Sequence, residues 1–161
     1  MDIILLRRYP QNIKVGKSMN TNEEMLEFLY KSASMSVDTT ARVLKKTRDG
    51  KLRRELNSQI NGYRQFAENA TRELKNHGLT PQDNGLMTKL MTNMGIEFNT
   101  MVDSTSSHIA ELMINGTNMG IIKLNKHLNR NKDCKAETTA MCQNLITYQK
   151  SNISKLEPYL F

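Results

Sequence analysis

The sequence predicts an all-α protein, an antiparallel up-down-up-down four-helix bundle, on three observations. Apolar residues recur three or four apart through four separate stretches, no stretch alternates with the period of two that a strand requires, and polar or glycine-bearing breaks divide the stretches. With 161 residues the chain suits one compact domain whose core needs neither disulfides nor a structural metal. No run of apolar residues approaches the ~18 that a membrane span requires.

Residues 1–20 carry the short apolar run Ile3, Ile4, Leu5 and Leu6, followed by Arg7, Arg8 and Pro10. That run is too short for a signal-peptide core, so the segment reads as a basic tail, disordered or loosely docked, ahead of a single domain at 21–161. Met19 directly precedes a helix start and is an alternative place for translation to begin.

In the first helix, Thr21 and Glu24 have the spacing of a capping box, and Leu26, Leu29, Ala33, Val37, Thr40 and Leu44 form its inward stripe until Arg48-Asp49-Gly50 interrupts it. Asp49 caps the second helix. Its stripe of Leu52, Leu56, Ile60, Tyr63, Ala67, Ala70 and Leu74 ends at His77-Gly78, a glycine stop. Thr80-Pro81-Gln82-Asp83-Asn84-Gly85 reads as a loop. A third helical pattern runs over residues 86–128, through Met87, Leu90, Met94, Phe98, Met101, Thr105, His108, Leu112 and Ile121. A continuous helix of that span would be about 64 Å long against about 40 Å for the first, so a break or kink is expected. Asn115-Gly116-Thr117-Asn118 with Gly120 is the expected place. After the polar connection at 129–133, a fourth helix carries Met141, Leu145, Tyr148, Ile153 and Leu156.

The turn Asp49-Gly50-Lys51-Leu52, the run Arg64-Gln65-Phe66-Ala67 and the helix end Asn76-His77-Gly78-Leu79-Thr80-Pro81 resemble the uncharacterised bacterial ferritin-like bundles related to rubrerythrins, over residues 21–160. The resemblance implies a bundle whose centre holds two metal ions, with Glu from two helices and Glu-x-x-His from two others. This chain has no Glu-x-x-His, its histidines are His77, His108 and His127, and the ligand positions of the second helix are occupied by Asn61 and Arg64. The expectation is a bundle without catalytic residues, metal or other cofactor.

His108 and Glu111 lie one turn apart, with Asp103 a turn and a half earlier, a spacing that would suit one metal ion but equally a hydrogen-bonded core histidine beside Ser104, Thr105 and Ser107. The core histidine is the more economical reading. Met87, Met91, Met94 and Met101 follow helical spacing and read as core filling rather than a soft-metal ladder. Cys134 and Cys142, on one helix, would stand roughly 12 Å apart, too far for a disulfide, so both read as reduced thiols of a cytoplasmic protein. A helix start beside Cys134 would lower its pKa.

Charge is the sharpest pattern. Lys and Arg total 23 against 16 Asp and Glu, a net charge of +7. Arg42, Lys45, Lys46, Arg48, Lys51, Arg53 and Arg54 surround the first turn, while Lys123, Lys126 and Arg130, with Lys132 and Lys135, surround the connection between the third and fourth helices. In an up-down-up-down bundle both groups share one end and make an anion-binding surface there. Lys51, Arg53 and Arg54 would sit at a helix N-terminus, where the helix dipole disfavours them. Three functions follow from the sequence. The first is a non-enzymatic ferritin-like bundle acting as an interaction or structural protein through self-association or an unidentified protein partner. The second is a binder of nucleic acid or another polyanion through the basic end. The third, which rests on the resemblance alone, is a metal-dependent oxidoreductase.

Overall fold

A computed structural model describes residues 19–82 and 103–161. The described residues form four α-helices and no strand: α1 (Thr21–Lys46), α2 (Gly50–Asn76), α3 (Ser106–Arg130) and α4 (Ala136–Leu156), the last followed by a 3-10 turn, Glu157–Tyr159. Residues 1–18 and most of the expected start of the third helix, with Met87, Met91, Met94 and Met101, lie outside the described residues.

The helix ends follow local chemistry. The capping box of α1 lies one residue earlier than expected. The Asn20 side chain accepts from the Glu23 N–H at 3.0 Å, and the Glu23 carboxylate accepts from the Asn20 N–H at 3.0 Å. Asp49 caps α2 as expected, accepting from the Leu52 N–H at 2.7 Å. At the other end of α2, Gly78 takes a left-handed φ of 73° and the Leu79 N–H reaches back to the Leu74 carbonyl at 2.9 Å, closing the helix where a side chain would be strained. The expected break near Gly116 is not where the third pattern divides. The α-helix α3 passes through Gly116 and Gly120, and its start is set at Thr105, whose hydroxyl accepts from the His108 N–H at 3.3 Å. A side-chain cap outranked the glycines because it satisfies an otherwise unpaired helix donor.

The topology corrects the expected up-down-up-down order. Val43 near the end of α1 packs with Leu52 and Leu56 at the start of α2, Ile109, Ala110 and Met113 at the start of α3, and Leu156 at the end of α4. At the opposite end, Asn22 of α1 accepts from the Lys135 N–H just before α4 at 3.1 Å, Phe28 stacks on His127 of α3 at 3.6 Å, and Glu23 faces His77 beyond α2 at 3.7 Å. Hence, among the four described helices, α1 and α4 run one way and α2 and α3 the other. The end of α2 and the start of α3 thus lie at opposite ends of the bundle. Buried Glu27 holds the chain just beyond α2, accepting from the Gln82 N–H at 3.0 Å while pairing with Lys31 at 3.3 Å.

A second core group, with Met25, Leu29, Ala33, Tyr63, Ala70, Leu124, Cys142 and Leu145, fills the rest of the bundle. No helix among the described residues is long and apolar enough to cross a membrane.

Candidate functional site

The reversed direction of α3 separates the two basic groups. Arg42, Lys45, Lys46, Arg48, Lys51, Arg53 and Arg54 stand at the α1–α2 turn, beside the apolar group of Val43 and Leu156. Lys123, Lys126 and Arg130 stand on the last turns of α3, at the end marked by Phe28 and Asn22. The expected single basic end therefore does not form. Within the first group Arg53 has a structural role, since its guanidinium donates to the carbonyls of Leu44 and Thr47, both at 2.8 Å, and so closes the C-terminus of α1. This explains a cation at the start of α2 despite the dipole. Arg42, Lys45, Arg48 and Lys51 are exposed, and among the described residues none is paired with a carboxylate.

The positions expected to replace metal ligands also lie elsewhere. Asn61 and Arg64 are exposed and bond only weakly to each other, at 3.5 Å, so they face away from the bundle centre. His108 is half-exposed on the first turn of α3 rather than a core histidine, and Glu111 is exposed. Among the described residues no three His, Cys, Asp or Glu side chains come together as a metal-binding group. Cys134 precedes α4 instead of lying on it, and desolvation, aided by Asp133, raises its pKa where the sequence predicted a lowering. Burial, with a smaller contribution from Cys134, pushes the Cys142 thiol up to about 12. Both cysteines are free, and neither has the low pKa of a nucleophile.

At the bundle centre stands a layer that the apolar stripes do not announce. Gln59 and Tyr63 of α2, Thr117 of α3, and Gln149 and Asn152 of α4 are all buried. Tyr63 meets Tyr148 edge to face at 5.2 Å, and desolvation raises its hydroxyl pKa to about 12 against an opposing effect of Asn152. Asn152 lies beside both tyrosines, yet neither of its side-chain amide atoms makes a hydrogen bond of good geometry. The Oε1 atoms of Gln59 and Gln149 are likewise without a partner. Buried polar atoms are almost always paired, because each unmade bond costs about 1–3 kcal/mol, so four in one layer set it apart from the apolar core.

Two glycines admit the large side chains of this layer. A Cβ at Gly62 would overlap the phenol of Tyr148, whose hydroxyl donates to the carbonyls of Ser58 and Gln59 at 3.3 Å each. A Cβ at Gly120 would stand 3.0 Å from the Gln149 amide nitrogen. Beside the layer, between α1 and α3, a mostly apolar cavity of about 90 Å³ is lined by Met35, Met113, Met119 and Tyr63, with Gln149 and Thr117 contributing polar groups. The sequence held a faint sign of the layer. Gln59, Tyr63, Gln149 and Asn152 fall at i, i+4 and i, i+3 spacings, but amides at those positions read equally well as surface.

Compared with known proteins, the chain matches no family model, no curated protein and no solved structure. Fold and site define the class alone, an all-α protein of four described helices around a polar centre.

Proposed function

We propose that this chain is a non-catalytic, ferritin-like helical bundle that acts through binding, as an interaction or structural protein. The observation that carries the reading is the chemistry of the central layer. Where a ferritin-like bundle places carboxylates and imidazoles, Gln59, Tyr63, Thr117, Gln149 and Asn152 present neutral amides, a phenol and an alcohol. Such a set does not fit a pair of divalent metal ions, whose bridging requires anionic oxygen ligands. That α2 and α3 run the same way supports the ferritin-like part of the proposal, since bundles of that kind depart from a simple up-down order. Elemental analysis of protein purified without added metal, together with peroxide turnover, tests the reading. Stoichiometric iron or manganese with turnover would overturn it and favour the metal-dependent oxidoreductase.

A second reading, binding of nucleic acid or another polyanion, is favoured by the exposed Arg42, Lys45, Arg48 and Lys51 at the α1–α2 turn. Labelled duplex DNA, titrated at two salt concentrations, tests it with wild type and an Arg42/Lys45/Arg48 to Glu variant that spares Arg53. Binding should weaken with a log–log salt slope of roughly −0.9 per phosphate contact and fall further in the variant. Equal binding by both proteins would leave the basic turn as a solvated surface.

A further inference from the structure

The outward side of α2 is cationic along its whole length. Lys51, Arg53, Arg54, Arg64, Arg72 and Lys75 are exposed on it, and Glu68 is its one exposed carboxylate, since Glu55 and Glu73 are half-buried. Arg53 is engaged with the end of α1, which leaves five cations. None of the five forms an ion pair among the described residues, although Glu68 stands one turn from both Arg64 and Arg72, and Asp38 of α1 lines the same groove as Arg64, Arg72 and Lys75. Neutral neighbours hold two of the guanidiniums instead. Arg72 donates to the Asn69 side chain at 2.6 Å and Arg64 weakly to that of Asn61 at 3.5 Å, which leaves most of their N–H donors uncommitted.

Spacing turns these charges into a track. Arg54 and Arg72 are five full turns of helix apart, so both project from the side opposite the buried Leu56 and Tyr63. From Lys51 to Lys75 the helix is about 36 Å long, and duplex DNA advances about 34–36 Å in one turn. The cations form two groups, Lys51 with Arg54, and Arg64 with Arg72 and Lys75. Between them the surface is neutral, with Asn57, Ser58 and Asn61 exposed. The gap from Arg54 to Arg64 is about 15 Å along the axis, close to the roughly 12 Å width of a major groove, so the two groups match the phosphate ridges on either side of one. The first group continues into Arg42, Lys45 and Arg48 at the α1–α2 turn.

We infer that the outward face of α2 is a docking track for duplex nucleic acid, held by phosphate contacts from both cationic groups. The inference rests on the polyanion reading of the basic turn; it extends that site to Lys75 and names its partner. No exposed position of α2 carries an apolar or aromatic side chain. A membrane surface is thereby disfavoured, because nothing on the face would insert among lipids, and so is a single strand, which needs rings on which to stack its bases. A duplex, in contrast, holds its phosphates at fixed positions that a rigid helix can match, and phosphate contacts require only cations and neutral donors.

The test is fluorescence anisotropy of a labelled duplex of about 16 base pairs, long enough to cover the track, and of one of its strands alone, at several salt concentrations. Vesicles of phosphatidylserine and phosphatidylcholine serve as a third partner. The variant Arg64→Glu/Arg72→Glu/Lys75→Glu changes exposed side chains only, so its helical circular dichroism should match wild type. Its affinity for duplex should fall about tenfold or more, and its log–log salt slope should become shallower by about 3, one for each lost phosphate contact. A control, Lys126→Glu/Arg130→Glu/Lys132→Glu, changes the net charge equally at exposed positions at and just beyond the end of α3, and should bind within about twofold of wild type. A track variant that binds duplex as wild type does, or a control weakened as much, would overturn the track. If the Arg42/Lys45/Arg48 to Glu protein is weakened in the same experiment, the polyanion reading of the turn stands without it. Tighter binding of the single strand or of the vesicles than of duplex would overturn the choice of partner. Absence of any binding at low salt would remove the polyanion reading itself, and the track with it.

Discussion

The two core regions of the bundle obey different rules. Around Val43, Leu52, Leu56, Ile109, Ala110, Met113 and Leu156, four helix ends meet through apolar side chains, and burial of hydrocarbon accounts for the packing. In the middle, Gln59, Tyr63, Thr117, Gln149 and Asn152 are buried as completely, but several of their polar atoms have no partner. Hydrophobic burial explains why the first region exists. The second buries polar atoms that make no protein hydrogen bond of good geometry, at a cost that hydrocarbon packing does not carry. Removing a hydrocarbon side chain from the first region should therefore destabilise the bundle, whereas replacing an unpaired amide of the second by hydrocarbon should stabilise it.

The largest expected effect lies in the apolar region. Leu56→Ala removes a fully buried side chain and should destabilise the protein by about 2–5 kcal/mol in chemical denaturation. A loss under 1 kcal/mol would mean that this end is not the principal core. Next, Gly62→Ala should cost about 1–3 kcal/mol despite alanine's better helix propensity, because its methyl group displaces Tyr148 from α2. A gain in stability would show that Tyr148 moves aside freely and that the polar layer is not rigidly built.

Asn152→Leu tests the contrast itself. Replacing an unpaired, fully buried amide by a hydrocarbon of similar shape should raise stability by about 1 kcal/mol. If thermal denaturation instead shows a loss as large as that of Leu56→Ala, the amide is a structural element and the two regions do not differ in kind.

The smallest effect is a pH dependence. Desolvation against Phe28, with Arg130 nearby, lowers the pKa of His127, so the folded protein favours the neutral ring. The unfolded chain takes up a proton near pH 6.5 first. Stability from this residue is therefore intact above about pH 6.5, falls as the pH drops through that value, and levels off once the folded-state ring is also protonated. Denaturation midpoints between pH 7.5 and 5 should show this decline in wild type and lack it in His127→Phe. A midpoint that rises on acidification would give the stacking of His127 on Phe28 the wrong sign.

Much of the fold was legible in the residues. The Asp49 cap and the Gly78 stop both lie where expected, since a side-chain oxygen ahead of a helix and a glycine behind it act within one turn of chain. The start of α3 was not legible, because Thr105 lies on an uninterrupted apolar pattern that reads as one helix. A pattern taken as one helix makes successive helices antiparallel neighbours and brings the two basic groups to one end, whereas the break at 103–105 separates them. Asn61 and Arg64 were placed at the centre by analogy of position, whereas the inward face of α2 at that level is Gln59 and Tyr63.

By itself the sequence determined what is local: helical periodicity, the caps and stop that bound α1 and α2, the excess of positive charge and the lack of any Glu-x-x-His. Tertiary structure decided which helix ends meet, that Arg53 closes α1 instead of joining an anion site, and that amides from α2 and α4 converge beside a cavity. The physical reason is range. Capping and periodicity act over a few residues, but the direction of α3, and with it every neighbour across the core, depends on contacts between residues far apart in sequence.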